Sequence, residues 1–550
     1  MIILALSMAA CSQRNDEKHV RAFIDAHLKL IEPKFKAFNL ASWNANATGE
    51  KKYYDEQAAL EYDIRTVYSN KKDFEQIKAW KDDGRITDPL LQRQLIILHN
   101  SYLTNQLDTV LMKKMADMNA EISNAFNTFR PTIDGRQVTD NEIEKILKTE
   151  INQTKRRKAW EASKEVAVAI APKLIELVKL RNQAARQLGF SNFFEMSLIT
   201  GEQTVPEIVA IFDELKTLTD SSFGALKSDI DAKLAARYGI TKDQLRPWHY
   251  QDRFFQEAPA LGTVDLDKYY KGKKIEDLAR TYYAKLNLPV DEMLKKSDLY
   301  GRKGKYQHAF CQDMDRLGDV RTMQSLEDNH RWMGTMLHEL GHAVYSLNVD
   351  RSLPYLLRIE SHTFTTEAIA MLNERQASNA DWLQVMTGIP ESEKQAIRQA
   401  GQENLRMHAL IFCRWTQVMM RFEKAMYENP DQDLNKLWWS LVKEYQMITP
   451  PEGRNAPDWA SKIHLALYPA YYHNYELGEL AASQFQHYIA SNILKQESAK
   501  DVCFAGKPEI GEYLRTKVFM PGARLRWDAL MKEATGEPLT AKYFAEEYVK

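Results

Sequence analysis

The 550-residue sequence has little of what cross-links, bends or polarises a chain. Four cysteines are too few for a disulfide-built scaffold. Glycine (22) and proline (18) are sparse and strand-like alternation is rare, so a sandwich or barrel of many short strands is excluded. Lysine plus arginine (74) and aspartate plus glutamate (75) cancel to a net charge of −1, so no global field draws nucleic acid or a polyanion. Past the first dozen residues no apolar run is long enough to cross a bilayer. What remains is amphipathic helix and many aromatics, 11 Trp and 25 Tyr, enough to line a cleft as well as fill a core. The chain reads as all-α with a very small β element, long enough for two lobes around a large core.

The start, Met1 to Ser12, is a short apolar run ending in Ala9-Ala10-Cys11. It reads as a bacterial lipoprotein signal over 1–10, with Cys11 as the lipidated first mature residue. A plain secretory signal is the alternative. No basic residues open the run, so the translated start is expected upstream. Residues 11–19 read as a polar tether and 20–550 as a single two-lobed domain. The expected location is the bacterial cell envelope, lipid-anchored through Cys11, or else soluble in the periplasm or secreted. With Cys11 lipidated, Cys311, Cys413 and Cys503 leave an odd thiol count.

Helical periodicity runs from Val20 to about Phe126 and resumes from Asp140 to Arg186. Asn127–Gly135 reads as a loop or short hairpin, Gly239–Thr263 as irregular, and Gly301–Gln312 as the best strand. Later helices break at Pro390, Pro430, Pro450-Pro451 and Pro521-Gly522.

The chemistry sits in His338-Glu339-Leu340-Gly341-His342. On a helix, residues four apart share a face, so both imidazoles can hold one Zn²⁺. Glu339, a quarter turn away, can act as general base beside a zinc-activated water. A catalytic zinc keeps three protein ligands and one open position. Glu367, on a following helix, is the preferred third ligand; Glu360 and His362 are rivals.

Other stretches carry a family resemblance. These are Trp438-Trp439 with Leu441, Tyr445-Gln446 and Pro450-Pro451; Lys462-Ile463-His464; Gln484-Phe485-Gln486; and Trp527 with Ala534-Thr535-Gly536-Glu537-Pro538-Leu539. From Trp43 onward the chain resembles the peptidase M2 family, that of angiotensin-converting enzyme. The resemblance implies an all-α, two-lobed ellipsoid with a deep channel, one zinc, and release of dipeptides from the free C-terminus of oligopeptides, with no nucleic-acid partner. It carries His338, His342 and Glu367 into the ligand places and Glu339 into that of the base. His308-Ala309 matches the strand edge that aligns substrate. Gln256, Lys462 and a tyrosine from Tyr471-Tyr472 match the carboxylate-binding set, and His464 holds a substrate carbonyl. Of the tyrosines in 468–475, Tyr475 is favoured for the oxyanion, with Tyr472 second.

The sequence also departs from that family. Met371 stands where the animal enzymes carry an acidic residue behind the metal, so support of the zinc must come differently. His473-Asn474 replaces an arginine that binds chloride there, which counts against chloride activation. Tyr468, Ala470, Tyr472 and Tyr475 are similar to the pattern of the thimet oligopeptidase family, M3. The alternatives to a peptidyl-dipeptidase are therefore an M3-like endo-oligopeptidase or an inactive peptide-binding lipoprotein.

Overall fold

The computed structural model describes residues 2–261 and 264–549, with side chains from residue 16 onward. The signal segment 1–10 and Cys11 lie outside the described side chains. Helix takes up 69% of the chain. No described helix is long and apolar enough to cross a membrane. The helices start where side chains can satisfy their first amides. Asn70, Asp88 and Asp108 each accept two backbone N–H groups at a helix start. Thr204 and Glu207 form a capping box ahead of Val205–Tyr238, which Gly239 ends at φ +64.

Packing divides the chain into two compact units. One comprises Met1–Gln106, Asp265–Arg398 and Ala481–Leu539; the other Leu107–Val264, Gln399–Leu480 and Thr540–Lys550. The first helix, Ile2–Thr48, includes residues 16–19, which the sequence assigns to a tether. They are tied down: the Glu17 carboxylate accepts the amides of Thr87 (3.1 Å) and Asp88 (3.2 Å), and Asp16 pairs with Arg85. At the heart of the first unit the motif helix, His330–Asn348, packs on Thr363–Glu374. Buried tyrosines of Ile275–Lys285 support both: Tyr283 donates to the Leu337 carbonyl (2.6 Å) and Tyr282 to Asn373 (2.8 Å).

The β content is two short hairpins among the described residues. Thr132–Ile133 pairs with Arg136–Gln137 across Asp134-Gly135, both at positive φ, so the expected hairpin forms. The strand expected over 301–312 is shorter, Phe310–Asp313, antiparallel to Val320–Met323. His308 and Ala309 precede it rather than lie in it. The cause is Lys305, whose buried ammonium is held by the Asp298 carboxylate (2.8 Å) and the Tyr300 carbonyl (2.8 Å), winding 301–305 into a turn. Cys311, Cys413 and Cys503 are free thiols.

Two glycines give opposite expectations. A Cβ on Gly511 would lie 1.7 Å from the Leu286 carbonyl oxygen. Gly511→Ala is expected to destabilise by about 1–3 kcal/mol or more. On Gly224, inside Val205–Tyr238, the nearest atom would be Met447 Cε at 3.8 Å. Gly224→Ala is expected to stabilise by about 0.5–1 kcal/mol. Thermal melts of both variants check the signs.

Candidate active site

The motif helix crosses Thr363–Glu374 with almost no gap at Gly341, where a Cβ would sit 2.7 Å from Ala370 Cα. That approach brings the two imidazoles to Glu367. Its Oε2 lies 3.6 Å from His338 Nε2 and 3.8 Å from His342 Nε2. Tetrahedral zinc with bonds of about 2.1 Å separates its donors by about 3.4 Å. Among the described residues these three form the one group of His, Cys, Asp or Glu donors able to hold a metal ion. Glu360 and His362 are not in it; His362 caps its helix, its Nδ1 accepting the Phe364 amide.

The other ring nitrogens are engaged too. His338 Nδ1 meets Glu374 Oε2 at 2.8 Å, and His342 Nδ1 meets Thr366 Oγ1 at 2.8 Å. Such partners fix the ring orientation and leave Nε2 for the metal. Sequence reasoning missed both. It found no acid at Met371, one turn past Glu367, and named no substitute. The acid is Glu374, two turns past it on the same face.

Charge in this cluster favours a cation. Burial pushes the Glu339 carboxyl up to about 7, with Glu367 and Glu374 adding to the rise against the pull of His338. Burial disfavours the His338 imidazolium, yet the Glu374 hydrogen bond and the charges of Glu374, Glu339 and Glu367 carry it up to about 10. His342, opposed by burial and by His338, falls well below its ordinary value. Three carboxylates thus gather around two rings, and a proton on His338 balances part of that charge. A divalent cation on the Nε2 side would do so better, so the donor set fits zinc. His308 is exposed, its ring 5.3 Å from that of Tyr306. Phe310–Asp313 is an edge strand, because Val320–Met323 meets Asp298 on its other side.

The second unit assembles the other expected residues. Lys462 is 7% exposed, and its Nζ donates to Gln256 Oε1 at 2.6 Å. The rings of Phe254 (5.4 Å), Trp415 (5.3 Å) and Tyr472 (5.3 Å) surround it. Among the described residues no carboxylate forms a salt bridge with it; burial pulls its ammonium down to about 8, against the charges of Asp252 and Glu257, which favour it. Gln256 and Lys462 line a cavity of about 200 Å³. Tyr472 is buried and its hydroxyl accepts from Trp415 Nε1 at 2.7 Å, while Tyr471 and Tyr475 are half-buried. His464 is kept neutral, chiefly by burial and then by Lys462, to about 3; its Nδ1 is buried without a partner. Phe254 and Trp415 carry no motif that points to them.

With this geometry in place, comparison with known proteins assigns the lineage. The profile of Peptidase family M3 matches residues 146–550. The chain belongs to peptidase family M3. Both clusters of this M3 chain, with residues from Gln256 to Tyr475, fall inside that match. The angiotensin-converting enzyme family profile, M2, matches residues 14–247, so the expected resemblance holds as well. Carboxypeptidase 1 of Bacillus subtilis (strain 168) is 26% identical over 282 residues, 45% of this chain and 52% of its own. Angiotensin-converting enzyme of Rattus norvegicus is 22% identical over 566 residues, 95% of this chain and 42% of its own. That of Haematobia irritans exigua is 20% identical over 373 residues, 62% and 58%. The M3 chain spans about half the length of the curated relatives it matches. M2 and M3 peptidases are zinc metalloenzymes, in keeping with the donor set.

Glu374→Ala is expected to lower zinc affinity about 10–100-fold. Gly341→Ala, which forces Ala370 away, is expected to lose the metal further. Zinc content of the purified variants after dialysis against a graded chelator checks both.

Proposed function

We propose that the protein is a zinc peptidyl-dipeptidase, releasing dipeptides from the free C-terminus of oligopeptides. One observation carries the exopeptidase reading: the Lys462 ammonium, buried among aromatic rings, has Gln256 beside it and no salt-bridge partner among the described residues, Asp252 and Glu257 favouring its charge without a direct contact. A buried cation is costly unless an anion reaches it. A peptide carboxylate supplies that anion, with Gln256 as a second polar contact. The relative named Carboxypeptidase 1 agrees with action at a carboxyl end.

Zinc on His338, His342 and Glu367 would polarise the scissile carbonyl and make a water acidic enough to attack. Glu339 takes the proton of that water and passes it to the leaving nitrogen, so the amide is exchanged for an acid and an amine. Its carboxyl, raised by burial, suits both halves of that transfer. Tyr475 donates to the developing oxyanion, and His464, neutral at every working pH, donates to a further carbonyl. His308 and Ala309 align the backbone. An M3-type endo-oligopeptidase is the second reading, favoured by the family match over residues 146–550.

Glu339→Gln should keep its zinc and lose turnover; near-wild-type turnover in that variant refutes the assigned base. Amidating the substrate's C-terminus separates the two readings. The peptidyl-dipeptidase loses most of its kcat/KM on the amide, whereas the endo-oligopeptidase is unaffected. The pH profile has a definite sign. Lys462 is charged below about 8, so kcat/KM on free carboxylates should fall as pH rises through that value, and a flat profile would exclude the clamp.

A further inference from the structure

The tyrosines of 468–475 stand on a turn that the chain reaches against resistance. Ala470 has φ +52, a left-handed conformation that an alanine resists and a glycine does not. Its amide donates to Glu423 Oε1 at 2.7 Å. Glu423 is 2% exposed, on the long helix Glu391–Glu428. Beside it lies Arg181, also buried, which donates to the Tyr427 hydroxyl (3.1 Å), Asn119 Oδ1 (3.1 Å) and the Ala466 carbonyl (2.7 Å). A buried acid and a buried base therefore hold the two sides of the turn, the Ala466 carbonyl and the Ala470 amide. Further along, His473 Nε2 meets Gln203 Oε1 at 2.7 Å, and Gln203 donates to Asn474 Oδ1 at 3.1 Å. Tyr472 is tied through Trp415. The segment that leads to Tyr475 is thus held through its backbone at 466 and 470 and through its side chains at 472, 473 and 474.

We propose that Glu423 is a positioning residue: by holding the Ala470 amide it fixes the left-handed turn from which Tyr475 is aimed at the substrate carbonyl. The inference rests on the reading of Tyr475 as that donor. The length of the side chain matters here and its charge does not. Burial favours the neutral carboxyl, raising it to about 8 against the pull of the Ala470 amide and Arg181, and the carbonyl oxygen of the neutral acid still accepts that amide.

The test uses the zinc-loaded full chain and a blocked tripeptide with a free C-terminal carboxylate, with kcat and KM measured separately. Glu423→Asp keeps the carboxyl group and withdraws the acceptor by one methylene. It should lower kcat by about tenfold or more while KM and zinc content hold. Glu423→Gln keeps length and acceptor, and should recover kcat to within about threefold of wild type. Tyr475→Phe, run in parallel, should lower kcat about 10²-fold. Wild-type kcat in Glu423→Asp, a loss confined to KM, or a Glu423→Gln variant as slow as Glu423→Asp overturns the positioning role. Wild-type kcat in Tyr475→Phe instead sinks the tyrosine assignment on which it rests, whatever Glu423 does.

Discussion

The close crossing of two helices at Gly341 and Ala370 is the constraint on which the candidate metal centre depends. Two histidines one turn apart make only half a site. The rest arrives because Thr363–Glu374 can lie directly on the motif helix, and it can do so because residue 341 has no side chain. Once the helices touch there, the seven-residue spacing of Glu367 and Glu374 does the remainder. Both carboxylates point the same way, one toward the Nε2 atoms and the other toward Nδ1 of His338. One contact thereby sets both the ligand and its support.

The two clusters are opposite in charge and alike in physical logic. Around the histidines, the buried Glu339, the largely covered Glu367 and the half-exposed Glu374 crowd together and seek a cation. Around Lys462, one ammonium sits in a box of rings and seeks an anion. In both cases the low polarity of the surroundings makes an unanswered charge expensive and an answered one strong. That is how a chain with a net charge of −1 can hold two sharply charged sites.

Much of this was legible in the residues because it is local. Helical periodicity and the proline breaks follow from nearest neighbours along the chain. The motif histidines follow from a four-residue spacing, and the hairpin from Asp134-Gly135. What was not legible is what depends on distant parts of the sequence. The strand expected over 301–312 is cut short because Lys305 finds Asp298 and Tyr300. The residues show that support for the candidate zinc ligands does not come from Met371, but not that Glu374 and Thr366 supply it. Trp415 and Phe254 show nothing in their own surroundings to mark them as walls for Lys462. Glu423 has Arg421 and Lys424 as its nearest charged residues in the sequence, and its meaning comes from an amide 47 positions away.

The free sulfurs carry a consequence of their own. Burial pushes the Cys311 thiol well above its ordinary range, with Glu339 adding to the rise; Cys413 is driven the same way, and Cys503 goes to about 11. The nucleophile in oxidation and exchange is the thiolate, which these positions suppress. Cys413 is further occupied in donating to the Leu410 carbonyl. Neither glutathione nor a disulfide-forming catalyst finds a ready reaction partner at these three sites. At these three positions the folded chain is therefore slow to answer a change between reducing and oxidising surroundings.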